Sequence, residues 1–143
     1  MSVFLFYKFK NNWRENLSYL LQKYYQEGNR ISVQFRSEII RDELNEFLWM
    51  FKEDSFLPHG VDVGDEGVFS CLQPVLLTVN SSNVNASTVR FFVDKAHFDI
   101  EYLDLYQKLV FVMCSDDDES IKWGRLNWVN LKKRGYKLDF YDY

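Results

Sequence analysis

The chain has 143 residues, enough for one domain with a buried core and too few for two comfortable ones. Its hydrophobic share of 47% and charged share of 27% are those of a soluble globular protein. The net charge of -4 excludes a broad phosphate-gripping surface, because sequence-independent nucleic-acid binding neutralises backbone charge with Lys and Arg.

The chain opens with "MSVFLFYKFKNNW", which lacks the basic and then apolar layout of a signal peptide. No apolar run approaches the roughly 18 residues of a membrane span. Both points predict a cytoplasmic protein with no membrane association. Val3 to Phe9, β-branched and aromatic, is a buried first strand. Trp13, Leu17, Leu20, Leu21 and Tyr24 then share one face of a helix that Gly28 ends. Arg30 to Phe35 is a second strand. Ser37 caps a second helix whose core stripe is Ile40, Leu44, Phe47, Leu48 and Phe51. After the polar turn "KEDS" and the loop "GVDVGDEG", Pro74 to Val79 is a third strand, with proline tolerated at its start. "NSSNVNAS" is a loop, Thr88 to Val93 a strand, Phe98 to Tyr106 a short helix, and Leu109 to Cys114 a buried strand. The acidic run "SDDDE" leads into a last helix reaching about Arg134, its carboxylates favouring the positive end of the helix dipole. Gly135 stops it, and "YKLDFYDY" follows as a strand or tail.

Strands alternating with helices predict an α/β fold: a Rossmann-like three-layer sandwich with a mostly parallel central sheet and helices on both faces, built as a single domain over residues 1–143. Such folds often hold a phosphate at a glycine-rich turn after the first strand. Here that turn, "YKFKNNWREN", has no glycine, and the one glycine-rich loop is acidic. His59 and His97 are isolated. Cys71 and Cys114 lack CxxC spacing and have apolar neighbours, which predicts buried reduced thiols. Side chains of "SDDDE" splay from a helix start instead of converging on a metal. No cofactor, metal or catalytic constellation emerges.

Two surface features remain. At 100° per residue Trp49 points nearly opposite the core stripe of its helix, and Phe56 follows the polar turn, with Pro58 stiffening the exit. Such rings either close over the end of the sheet as a satellite cluster or, beside a rigid turn, serve a protein interface, for which the 18% aromatic content leaves a surplus. On the last helix, Lys122, Arg125, Lys132 and Lys133 fall on one side with Val129 among them. That pattern is either a solvated basic face balancing "SDDDE" or a small site for an acidic peptide, in which Arg takes a carboxylate bidentately while apolar surface takes a side chain.

The ordered set "DELNEFLWMFKEDSFLPHG", a short acidic glycine loop, "QPVLLT" and "RLNWVNLKKRGYKL" resembles the chi subunit of bacterial DNA polymerase III holoenzyme along nearly the whole chain. The resemblance implies a non-enzymatic clamp-loader accessory protein. Its partners would be the psi subunit and the acidic, aromatic-ended C-terminal tail of single-stranded DNA-binding protein, with DNA reached only indirectly. It assigns Trp49 and Phe56 to psi binding and Arg125, supported by Lys122 and Lys132, to the tail; the residue pattern adds Pro58 to the first site and Val129 to the second. Where relatives carry a further basic residue one turn before that arginine, this chain has Ile121. The competing reading is a small α/β enzyme acting on a nucleotide or small acidic metabolite, with His59 near the strand ends.

Overall fold

The computed structural model describes residues 2–51, 56–62 and 69–143, without the side chains of residues 102–104. The "KEDS" turn and most of the glycine-rich loop therefore lie outside the described residues. In chain order the elements are β1 (Val3–Phe9), α1 (Trp13–Gln26), β2 (Ile31–Gln34), α2 (Glu38–Met50), β3 (Gly60–Val61), β4 (Val75–Thr78), β5 (Val89–Phe92), β6 (Lys108–Cys114), α3 (Asp118–Lys133) and β7 (Leu138–Asp142). Short 3-10 turns cover Ser70–Leu72 and Ile100–Leu105. The seven strands form one sheet in the order β3-β4-β2-β5-β6-β1-β7, and every described pairing is parallel.

A parallel sheet needs crossovers that cover its faces, so its strands read as continuous apolar runs. That explains why all four residues of β2, β4 and β5 are buried. Alternate residues of β1 divide the two layers. Leu5, Tyr7 and Phe9 join Leu17, Leu21, Leu44 and Leu48 beneath α1 and α2. Phe4 and Phe6 join Phe111, Met113 and Leu131 beneath α3. Phe6 and Phe111 stack with centroids 4.5 Å apart, and the Trp128 edge meets Phe6 at 5.2 Å.

The helix ends follow local chemistry. Ser37 accepts from Ile40 N at the start of α2, and Asp117 accepts from Glu119 N and Ser120 N at the start of α3. Gly28 and Gly135 take the left-handed backbone that stops α1 and α3. Arg90 is buried at 1% exposure, and burial lowers its pKa. Its guanidinium is held by neutral acceptors: Gln34 Oε1 at 2.8 Å, Ser32 Oγ at 3.0 Å, and the carbonyls of Asn80 and Ser82. One side chain thus ties β2 and β5 to the loop after β4.

Three expectations need correction or narrowing. The strand Gly60–Val61 falls where a loop was expected, because two residues carry no periodic signal; there Gly60 lets Gln73 lie where a β-carbon would be 2.7 Å from its Cγ. The short helix expected over Phe98 to Tyr106 is present in narrower bounds, as a six-residue 3-10 turn over Ile100–Leu105. Phe98 is fixed edge-on to Phe4, Phe92 and Phe111 and Tyr106 is 4% exposed, so both ends are committed to the core and leave a short span to bridge. Cys71 is exposed, its backbone carbonyl drawn toward Arg30 Nη2 at 2.9 Å, and Cys114 is half-buried.

Gly124 sets how closely α3 seats on the sheet. A β-carbon there would overlap the Met113 sulfur and lie 2.5 Å from its Cγ. Gly124→Ala should therefore lower stability by about 1–3 kcal/mol through overpacking. Thermal unfolding of Gly124→Ala alone and with Met113→Ala checks this. The second change should recover part of the loss if the clash is local.

Candidate functional site

The first candidate site sits where α2 ends. Because Leu44 and Leu48 are buried, the helix turns Trp49 outward, 55% exposed, beside the 83% exposed Met50. Beyond the helix the chain alternates. Phe56 stands out at 66% exposure, Leu57 enters the core, Pro58 is half-buried and His59 turns inward. Trp49 meets Phe56 at 5.8 Å and His59 at 4.3 Å between ring centroids. His59 Nδ1 lies 2.7 Å from Leu57 O; a carbonyl only accepts, so Nδ1 carries the proton. Nε2 is buried and has no hydrogen-bond partner among the described residues. His59 precedes β3, away from the carboxyl ends of the strands, and serves here as the platform that holds the Trp49 ring. Met50 was missed in the sequence because methionine at a helix end carries no signal of its own.

The second candidate site is a groove between α3 and β7. Ile121, Gly124, Arg125 and Trp128 form its helical wall, Phe6 and Met113 its floor, and Phe140 the facing wall, around a cavity of about 350 Å³. The spacing explains the wall, since positions 121, 124, 125 and 128 follow one helical face. Phe140 is 50% exposed and meets Trp128 edge-on at 6.4 Å. Lys8 closes one end. Neither Lys8 nor Arg125 has an ion pair among the described residues.

The predicted basic set of α3 is exposed along the outer side of the helix, but its members border different cavities. Arg125 lines the groove, and Lys132 reaches its rim through a cation–π contact 5.8 Å from the Trp128 ring. Lys122 and Val129 are exposed on the outward ridge of the helix, and Lys122 stands 3.9 Å from Glu119. Lys133 instead lines a mixed cavity of about 630 Å³ on the other flank, with His97, Phe98, Ile100, Asn130 and Arg134. Lys8, Phe6 and Phe140 were not foreseen in the groove, because strand register decides their place and no local spacing announces it.

Open α/β sheets place ligands at the carboxyl ends of their strands. Here that crevice, about 140 Å³, includes Arg14, Asp94, Lys95, Cys114 and Asp117. Those groups are engaged with one another and with the fold: Asp94 accepts from Ser37 N at 2.9 Å, Asp117 caps α3 and pairs with Lys95 at 3.7 Å, and Arg14 pairs with Glu43. Burial pushes the Cys114 thiol up to about 11, so at neutral pH it is protonated and a poor nucleophile. Among the described residues no three His, Cys, Asp or Glu side chains gather as metal ligands would, and no helix is long and apolar enough to cross a membrane.

The family model described as DNA polymerase III chi subunit, HolC, matches residues 1–139, and the chain belongs to that family. No curated protein matches it.

Trp49 and Phe56 should contribute little to stability, since both are largely exposed. Trp49→Ala and Phe56→Ala should each melt within a few degrees of the parent, whereas Leu48→Ala should cost about 2–5 kcal/mol. Calorimetry on the three variants decides whether these rings serve the core.

Proposed function

We propose that this member of the chi family is a non-catalytic, cytoplasmic adaptor of DNA replication, formed as a single domain. It links the polymerase III clamp loader, through a psi subunit, to the C-terminal tail of single-stranded DNA-binding protein, and meets DNA only indirectly. The observation that carries the reading is the α3–β7 groove, in which an apolar cavity the size of an aromatic side chain and its neighbours is bordered by an arginine with no ion-pair partner among the described residues. An acidic peptide ending in an aromatic residue needs that combination: a dry berth for the ring and a bidentate donor for the carboxylate beside it. Lys132 on the rim and Lys122 on the ridge add positive potential, and Val129 adds apolar surface next to them.

The psi site on this reading is the Trp49–Phe56 pair, stiffened by Pro58. Two exposed rings in mutual contact have the character of an interface hot spot, where aromatic anchors dominate. Support comes from membership of the family together with the exposure of both rings.

A charge-assisted contact contributes about 1.5–3 kcal/mol, so Arg125→Ala should weaken binding of a labelled tail peptide about tenfold or more. Trp49→Ala or Phe56→Ala should abolish co-purification with a psi partner and leave the peptide affinity unchanged. Equal affinity of Arg125→Ala and parent for the peptide would reject the tail site. Loss of both activities in the Trp49 variant would reject the division into two surfaces.

A further inference from the structure

Among the α3 residues that line the groove Arg125 is the one cation, with Lys132 only at the rim, because the position one turn before Arg125 is the apolar Ile121. A peptide whose terminal carboxylate is preceded by acidic side chains would then leave those carboxylates over apolar surface, and desolvating an unpaired charge is costly. The sheet supplies what the helix lacks. Phe4, Phe6 and Lys8 are alternate residues of β1 and stand in one row beneath α3. The first two are fully buried and Lys8, half-buried, lines the groove. A lysine in that row suits such a groove, since its aliphatic stem can extend apolar surface while its ammonium keeps to water. Phe6 is level with Phe140 in the strand register, so the ring berth lies beside Phe6, Phe140 and Trp128, within a helical turn of Arg125. Lys8 is two residues further along β1, about 7 Å away, which is the step between alternate residues of an extended peptide.

We propose that Lys8 is the second cation of this groove and reads the acidic side chains preceding the terminal residue of the bound tail, while Arg125 takes the terminal carboxylate. The assignment rests on the tail reading above. It also fits the two chemistries: a planar fork suits a carboxylate fixed next to a seated ring, whereas a flexible point charge suits side chains that arrive in variable geometry. Asp142 is the cross-strand neighbour of Lys8 and stands on the same side of the sheet, yet forms no ion pair with it. This carboxylate competes with the incoming peptide for Lys8.

Fluorescence anisotropy with three labelled decapeptides tests the assignment: an acidic peptide ending in phenylalanine, the same peptide with every Asp replaced by Asn, and the parent sequence as its C-terminal amide. Lys8→Gln should weaken the acidic peptide about tenfold, change the Asn peptide less than about twofold, and be rescued by Lys8→Arg. Arg125→Ala should weaken the acidic and Asn peptides alike and lose nothing further on the amide. Asp142→Asn should tighten the acidic peptide only, an effect that does not depend on the folding of any Lys8 variant. If Lys8→Gln and Asp142→Asn both bind all three peptides as the parent protein does while Arg125→Ala loses affinity, the role of Lys8 is refuted and the tail site stands. If Arg125→Ala also binds like the parent protein, the tail site itself is refuted.

Discussion

Much of the geometry of this molecule hangs on the absence of one side chain. Gly124 lets α3 settle onto Met113 of β6, and everything on either flank of the helix takes its position from that contact. With the axis held so close, the Trp128 ring reaches Phe6 of β1, and Trp123 Nε1 donates to Ala96 O at 2.9 Å on the other side. The helix is thereby pinned to β1 on one flank and to the loop after β5 on the other. The α3–β7 groove is what remains between a helix seated this low and the next strand out. A larger residue at position 124 would lift the helix and part the Trp128 wall from its floor, so the shape of the groove is a property of the core beneath it.

The strand order decides where the two candidate surfaces stand. β3 and β7 are the outer strands of the sheet, six inter-strand steps apart, or roughly 30 Å at the usual spacing. Trp49 and Phe56 lie at the β3 edge because α2 delivers the chain there, a placement that follows from the crossover alone. The groove lies at the β7 edge because α3 runs from β6 over β1 to reach it. A rigid parallel sheet between two such surfaces lets each be occupied without steric interference from the other. That is the physical requirement of an adaptor, and it needs no conformational change.

The sequence was legible wherever one periodicity ruled a segment. Helical spacing marked α1 and α2, and the same 100° step turned Trp49 away from Leu44 and Leu48, as the exposures bear out. Strand ends came within a residue because β2, β4 and β5 are short segments rich in β-branched and aromatic residues, bounded by polar turns. Legibility failed where partners are distant in sequence. Lys8 reads as one polar residue in an aromatic strand until the pairing of β1 with β7 sets it beside Asp142 and across from Ile121. Arg90 carries no local signal of burial, yet the turn carbonyls of Asn80 and Ser82 draw it wholly inside. Cys71 looked apolar by its neighbours, yet Phe69 and Leu72 are themselves exposed. Local hydropathy says nothing about a segment that runs along the outside of the sheet.

Net charge and local charge pull in opposite directions here, and the balance bears on selectivity. The protein is acidic overall, and salt at about 0.1 M screens charges beyond roughly 10 Å, so the groove cations are felt only by a ligand already close to them. A nucleic-acid backbone gains affinity by releasing counterions along many phosphates, and two cations in a groove with apolar walls offer it little. A short peptide loses less by that restriction, because burial of one ring supplies non-electrostatic affinity that screening does not touch. The apolar floor of Phe6 and Met113 therefore does more than hold a side chain. It makes the groove favour a ligand that combines negative charge with an aromatic end over one that is merely negative.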